Sequence, residues 1–583
     1  MKELLQSHLK SAVETYLSQQ DIAIDKLPAI EVDHAKDARH GDFASNIAMV
    51  LAKPVSKPPR DIAAGIIDCL SQIAILDKCE IAGPGFINFF LSKDAYYQVI
   101  PEIFNSSENY GRSNEGGSTK VLLEFVSSNP TGPIHIGHGR GAAYGSVLAK
   151  LLAASGYDVT REYYVNDYGR QMDILSISVW LRYLDMQDEH DLPFPQNAYH
   201  GQYIRDIAAT IYKDKNDLPQ PDTGELHAII NGHAEEDKKL DEIISLAKTT
   251  LGDNYHKVFF SHALEDILAG IKKDLAEFGV EFDNWFSERS LITRQKVADC
   301  IAALKASGDI YEKDQAKWFR STSYGDEKDR VVVRKNGQTT YFASDIAYHV
   351  DKYNRGFDEI INIWGADHHG YISRVRGALK ASGKDPDQLK ILLVQFATLY
   401  IGEEKLQMST RSGDYVTLEQ LREEVGNNAT RFFYVMRKAE QHLDFDLELA
   451  KSESNANPVY YIQYAHARIC SVFKQMQERG MAFNKDMGLD SLSLLVEETE
   501  LALVKAITRY PEIIAQAARN HEPHQLSFFL RELANDFHGY YNSCQFLVED
   551  ERLCQARLCL ISATRQVIKN GLDILGVTAP EEM

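Results

Sequence analysis

The sequence predicts an α/β protein in three parts: a doubly wound parallel sheet at its centre, a small α+β domain before it and an all-α domain after it. Three observations carry this reading. First, "KVLLEFV", "HIGHGRGAAYGSVLAKLLAASG" and "YDVTREYYV" follow one another as strand, helix with a glycine stop, and strand, which is a βαβ unit. Second, "DEIINIWGADHHG" and "LKILLVQFATLYI" restore strand signals much later, as a second half-sheet needs. Third, beyond about residue 455 strand signals all but vanish.

Taken in order, residues 1–112 alternate short apolar runs ("AIEVD", "CEIAG", "FINFFL") with helical segments such as "FASNIAMVLAK" and "PRDIAAGIIDCLSQIA", hence an α+β domain. The opening "MKELLQSHLKSAVETYL" is an amphipathic helix with scattered charges, neither a secretory signal nor a membrane span. Residues 106–119, "SSENYGRSNEGGST", are polar and glycine-containing and read as a linker. The sheet domain spans 113–390, interrupted over about 180–290 by a charged helical insertion typified by "GHAEEDKKLDEIISLAKTTL". A mixed region covers 391–455, and residues 456–583 form the helical domain. In its last helix Leu558, Ile561, Ile568, Leu572 and Leu575 share a face, and Gly576 ends it.

Bulk properties narrow the function. The 583 residues suffice for roughly three to four domains. A net charge of −21 argues against a general polyanion binder, because such affinity comes from lysine and arginine releasing counterions. Any nucleic-acid contact must therefore be local. The seven cysteines include no CxxC pair, so neither a disulfide framework nor a structural zinc site is expected. No run of about eighteen apolar residues occurs, and the expected setting is the cytoplasm, with reduced thiols.

Chemistry concentrates where the first strand of the sheet ends. In an open parallel sheet ligands bind beyond the carboxyl ends of the strands, and phosphates sit at the next helix N-terminus. "SSNPTGPIHIGHG" occupies that place. Its Gly137 and Gly139 would admit a flat base or ribose, and His135 and His138, three apart, can both donate to phosphate oxygens. About 0.04 chance occurrences of HxGH are expected at this composition, so the competing reading, two histidines capping a helix, is the weaker one. Glu124 sits inside the apolar strand just before this turn, and a charge there wants a partner.

These residues resemble a known family. "HIGH" within "NPTGPIHIGHGRGA" is the signature of class I aminoacyl-tRNA synthetases, whose core is a Rossmann-like sheet. "HGDFASN", "IAGPGFINFFL", "YYVNDYGRQM", "KDRVVVRKNGQTTYFASDIAYH", "NPVYYIQYAHARIC" and "ARLCLISATRQVIKNGLDILGVTAPEEM" look like arginyl-tRNA synthetases of bacterial type, over essentially the whole chain. The resemblance implies an arginine–tRNA ligase that forms arginyl-adenylate from ATP, with Mg²⁺ as Mg-ATP, releases pyrophosphate and charges the 3′ end of its tRNA.

The resemblance also distributes roles. ATP would lie along Asn129, Pro130, Thr131, Gly132, Pro133, Ile134, His135, Ile136, Gly137, His138 and Gly139, with Gly365 and Asp367 of "WGADHHG" and with Met408 and Ser409. His135 and His138 would steady the phosphates. A guanidinium is a planar fork that matches carboxylates, so Glu124 and Asp345 would hold the substrate side chain beside Tyr341, while Asn129 and His135 approach its amino and carboxylate end. Three alternatives stand beside these roles: a cross-strand ion pair for Glu124, a helix N-cap for Asp345 and a plain core aromatic for Tyr341. Class I enzymes carry a mobile KMSKS loop whose second lysine meets the pyrophosphate. Here that segment is Gln407, Met408, Ser409, Thr410 and Arg411, so Arg411, or else Lys405, would supply the charge. No metal site is expected, since the His368–His369 neighbours point apart.

The resemblance makes the C-terminal domain the anticodon reader and the N-terminal domain a contact to the outer corner of the tRNA. "VYYIQYAHARIC" and "FHGYYNSCQF" offer rings and cations suited to unstacked bases, with Tyr464, Arg468, Tyr540 and Asn542 as candidates, although the first stretch also fits an aromatic core stripe. A small-molecule nucleotidyltransferase would need neither end domain. A glutamyl or glutaminyl enzyme would want cations at Glu124 and Asp345, and a cysteinyl enzyme zinc ligands. A non-catalytic tRNA-binding paralogue is the remaining alternative. The expected form is a monomer without an editing site.

Overall fold

The computed structural model describes residues 1–22, 27–35, 37–70, 73, 75–188, 193–232, 235–402, 404–405 and 416–583. In the N-terminal part, alternation of apolar residues builds a four-stranded antiparallel sheet of β1 (Asp33–His34), β2 (Phe43–Ser45), β3 (Leu76–Ala82) and β4 (Phe86–Leu91), in the order β1-β2-β4-β3. Ile87, Phe89 and Leu91 of β4 are buried, the period of two expected of a half-covered strand. The stretch "FASNIAMVLAK" is not helical throughout: Phe43 pairs with Phe89 in the sheet, and the helix begins only at Ile47, where the Ser45 hydroxyl accepts from the Ile47 amide at 3.3 Å.

The central sheet contains β5 (Lys120–Glu124), β6 (Asp158–Val165), β7 (Asn284–Ser287), β11 (Glu359–Gly365) and β12 (Leu389–Val394), all parallel, in the order β12-β11-β5-β6-β7. β5 is buried on both faces, as parallel strands require. Leu122 packs with Ile360, Val375, Leu379 and Leu389 on one side, whereas Val121 and Leu123 join the core containing Ala142, Ala143 and Val147 of the helix Ile136–Ala154. The chain winds from β5 outward to β7, then returns to lay β11 on the other flank of β5. The crevice at this switch point, beside β5 and β11, is where such sheets bind ligands.

Between β6 and β7 runs the helical insertion, with helices Arg170–Asp188, Gln202–Asp214, Thr223–Gly232, Glu236–Leu251 and Ser261–Glu277. A small antiparallel sheet of β8 (Ile310–Lys313), β9 (Ala316–Phe319) and β10 (Arg330–Val333) precedes the helix Tyr341–Asn354. The run "LKILLVQFATLYI" is two strands rather than one. It leaves the main sheet after β12, and β13 (Ala397–Ile401) pairs instead with β14 (Glu404–Lys405) and β15 (Leu443–Asp446). The break is held by Gln395, whose amide donates to Ala439 O at 2.9 Å and whose carbonyl accepts from Arg140 at 2.8 Å.

Beyond Asp446 no strand occurs among the described residues. Asn457 caps the helix Pro458–Glu478, and the helix Glu551–Leu575 ends at Gly576 with φ 69°. A side chain there would also meet Arg431 at 2.5 Å, so glycine is required twice over. Two buried arginines tie the parts together. Arg140 donates to the carbonyls of Gln395, Lys438 and Gln441, and Arg431 to those of Phe278 and Leu575 and to Ser146 Oγ. Burial, with no ion-pair partner among the described residues, pulls both guanidinium pKa values down to about 10. Among the described residues no helix is long and apolar enough to cross a membrane.

Candidate active site

The site is built from strand ends. After Glu124 the chain turns through Val126 (φ 68°) and Ser127 (φ 43°), conformations that a valine in particular resists and that only a tightly determined turn holds. Ser127 Oγ donates to Glu124 at 2.9 Å and accepts from the Tyr164 amide at 3.1 Å. Ser128 bonds Tyr163 at 2.7 Å, and Tyr203 donates to Thr131 O at 2.7 Å, so the turn 125–134 is pinned to β6 and to the insertion.

The turn delivers the chain to the helix Ile136–Ala154. His135 is its N-cap, with Nδ1 accepting from the Gly137 amide at 2.8 Å. Its ring lies 4.3 Å from that of His138. Burial lowers the pKa of both, that of His138 to about 4 with His135 contributing, so both rings are neutral at pH 7. His138 Nδ1 is buried with no hydrogen-bond partner among the described residues, the state of a group awaiting a ligand. Positive potential here comes from the helix N-terminus rather than from imidazolium. Two glycines behave differently from expectation. The His135 ring fills the space beside Gly137, where a Cβ would sit 2.4 Å from it. Gly139 is a packing glycine, not a base-approach surface, because Tyr434 and Leu418 would meet its Cβ at 2.9 and 3.0 Å. Ile134 and Ile136 are core residues whose backbones pair with Leu418 and Val416.

Carboxylates gather on the other side of the turn. Asp345 lies in the second turn of the helix Tyr341–Asn354, whose N-cap is Thr340, so the N-cap reading of Asp345 is excluded. Tyr371 donates to Asp345 Oδ2. Burial nevertheless raises the Asp345 pKa to about 6, with Glu124 adding to the rise. Glu288, at the end of β7, was not singled out by sequence reasoning. It is 3% exposed, and burial raises its pKa to about 7, with Asp345 and Asp167 adding and the neighbouring Ser344 and Tyr164 opposing. Asn166 bridges this group, touching Asn129 at 3.0 Å and, with its amide nitrogen turned to the carboxylate, Glu288 at 2.6 Å. Burial raises the Tyr164 hydroxyl pKa, and the charges of Glu288, Asp345 and Glu124 add to the rise. Glu288 mirrors Glu124, an acid closing an apolar strand ("NWFSE"), and that was the available signal.

Glu124 itself is matched from below. Lys352, fully buried, donates to Glu124 and, at 2.7 Å, to Asn362 Oδ1, whose amide meets His349 Nε2 at 2.9 Å. The partner comes from the helix Tyr341–Asn354, not from a neighbouring strand as a cross-strand pair would. Tyr341 begins that helix and is 49% exposed, so it is not a core aromatic. Gly365 ends β11, with Asp367 exposed just beyond. Met408, Ser409 and Arg411 lie outside the described residues; Lys405 is exposed in β14, and Thr417 bridges to His135.

The turn 125–134 thus joins the carboxylate Glu124 to the helix start at His135, with Glu288 reached through Asn166 and Asn129. The chain matches "Arginyl tRNA synthetase N terminal domain" over residues 2–91, "tRNA synthetases class I (R), catalytic domain" over 99–469 and "DALR anticodon binding domain" over 462–583. It belongs to the arginyl-tRNA synthetase family. Arginine–tRNA ligases of Thioalkalivibrio sulfidiphilus and Coxiella burnetii are 54% identical over 590 residues and 50% identical over 587, each alignment spanning 100% of this chain and 100% of theirs. The fold is shared by the Thermus thermophilus arginyl-tRNA synthetase, at TM-score 0.73, 21% identity and 100% coverage of both chains.

In this synthetase the C-terminal candidates divide. Arg468 lies over the rings of Tyr464 (4.3 Å) and Tyr541 (4.7 Å) and meets His538 Nδ1 at 3.2 Å. Arg468, Tyr464 and His538 line a cavity of about 140 Å³ with Asn455, Tyr461 and Asn542. Tyr540 faces the opposite way. It is 0% exposed with its hydroxyl on Glu500 at 3.2 Å, so its ring is core and unavailable to a base; Tyr541 is the outward neighbour.

Proposed function

We propose that this arginine–tRNA ligase carries out adenylation across the crevice between β5 and β11. The observation that carries the reading is the turn that runs from Glu124 to the His135–His138 helix start, with Asp345 on the helix whose Lys352 holds Glu124 and with Glu288 linked through Asn166 to Asn129 of that turn. ATP lies along residues 129–139, with its phosphates toward the positive end of the helix dipole and toward His138 Nδ1. Mg²⁺ arrives with the nucleotide. Gly365 and Asp367 border the adenosine.

The guanidinium of arginine lies between Asp345 and Glu288, beside Tyr341, and its charge favours their ionised forms. Glu124, already neutralised by Lys352, orders the turn more than it adds net charge. Asn129 and His135 hold the amino acid so that its carboxylate oxygen attacks the α-phosphorus of ATP, and the bond to pyrophosphate breaks. Catalysis here is alignment and charge placement, with no protein nucleophile. The charge that meets the departing pyrophosphate is assigned to Arg411. The terminal ribose of the tRNA then takes the arginyl group and AMP leaves. Tyr464, Arg468 and Asn542 take an anticodon-loop base. All these groups come from one chain, so the reading needs only a monomer, and seven free cysteines suit the cytoplasm.

Charging assays with several radiolabelled amino acids, in wild type and Arg411→Ala, test this. Arginine alone charged, with a tenfold or greater loss in the variant, supports the assignment. Undiminished charging by Arg411→Ala moves the charge to Lys405, and absence of any charging would leave a non-catalytic tRNA-binding protein.

A further inference from the structure

Behind the wall formed by Tyr341 and Tyr371 lies a cavity of about 250 Å³ that the adenylation chemistry leaves unused. It is lined by Arg330, Arg334, Arg374, Thr340, Tyr341 and Tyr371 among others, and by no carboxylate. Asp326, just outside it, serves two of the guanidiniums, Arg330 at 2.7 Å and Arg374 at 3.3 Å. Arg334 is exposed and has no ion-pair partner among the described residues. Arg334 therefore adds a positive charge without an ion-pair partner among the described residues, in a chain whose net charge is −21. Such a cluster repels the substrate guanidinium and suits an oxyanion, which planar N–H forks grip bidentately.

Position narrows the anion further. The cavity shares Tyr341 and Tyr371 with the amino-acid pocket, where Tyr371 donates to Asp345. Neither His135 nor His138 lines it, so it is not a continuation of the ATP phosphate site. The Tyr341 ring is half exposed, and the Arg374 guanidinium lies 5.4 Å from the centre of the Tyr371 ring. Guanidiniums for a backbone and ring faces for unstacked bases are what single-stranded nucleic acid requires.

We propose that this cavity binds a phosphodiester of the single-stranded 3′ end of the tRNA, just before the terminal nucleoside that receives arginine. The proposal rests on the ligase reading above. It makes Arg334 a tRNA-positioning residue: the phosphate is held on the far side of Tyr341 while the terminal ribose reaches past it toward the adenylate.

The test compares wild type, Arg334→Ala and Arg334→Lys for equilibrium binding of intact tRNA and of the same tRNA lacking its last three nucleotides, across a salt series. Arginine affinity of each protein is measured separately by calorimetry. Arg334→Ala should bind intact tRNA about five- to tenfold more weakly with a salt slope lower by about one, bind the truncated tRNA as wild type does, and retain wild-type arginine affinity. Arg334→Lys should recover part of the loss. Equal loss with both tRNAs, loss with neither, or an accompanying fall in arginine affinity would each overturn the assignment. Failure of the wild type to charge arginine would instead refute the ligase reading, and the binding comparison separates the two.

Discussion

Glu288→Gln, with arginine binding followed against pH, tests the acidic pocket most sharply. Burial raises the Glu288 pKa to about 7 and the Asp345 pKa to about 6. A raised carboxylate pKa leaves the group protonated and neutral at low pH, and a guanidinium binds the ionised form, so affinity must rise with pH. If binding requires Glu288 ionised, a pKa of about 7 weakens it about 25-fold from pH 7.5 to pH 5.5, with Asp345 adding about fourfold. Glutamine removes the larger part, so the variant should show only about a fourfold change over that range. It should also bind arginine about 2 kcal/mol less tightly at pH 8, the worth of a hydrogen bond to a charged group. Isothermal calorimetry at four or more pH values reads both. An affinity independent of pH in wild type, or an unaltered pH profile in Glu288→Gln, would refute the role given to this residue.

Three further outcomes follow from the same contacts. Lys352→Met leaves Glu124 as an uncompensated buried charge and should cost about 3–5 kcal/mol in urea unfolding, with Glu124→Gln in the same chain restoring much of it. His138→Ala should slow adenylate formation about 10²- to 10³-fold in single-turnover kinetics while leaving arginine affinity within about twofold, since the ring faces the nucleotide side. Arg468→Ala should weaken tRNA binding by about 1–3 kcal/mol without changing arginine affinity, whereas Tyr540→Phe, deep in the core, should leave tRNA binding unchanged.

Much of this architecture was legible in the sequence because local chemistry agreed with the fold. The strand, turn and helix around "HIGH" carry their own glycines and N-cap, and Gly576 stops the last helix where its apolar face runs out. Other features depend on contacts far apart in the chain. Only tertiary packing makes "LKILLVQFATLYI" two strands, since the break is held by Arg140 and Ala439. Tyr540 and Tyr541 differ by one position, and the helix phase that buries one and leaves the other half-buried is set by Glu500 and Arg468 on neighbouring helices. Glu288 and Lys352 escaped notice because an acid after a short strand and a lysine late in a helix are ordinary until folding buries them beside Asp345 and Glu124.

The central claim is that two carboxylates, Glu288 after β7 and Asp345 on the helix Tyr341–Asn354, select a guanidinium for transfer to tRNA. The direct measurement is kcat/KM for tRNA charging with arginine against citrulline, which keeps the shape of the side chain but carries no charge. The account predicts that citrulline is charged at least about 10⁴-fold less efficiently, because a pocket built for a cation's donors leaves buried acids unpaired with a neutral substitute. Charging of citrulline within about tenfold of arginine would contradict it.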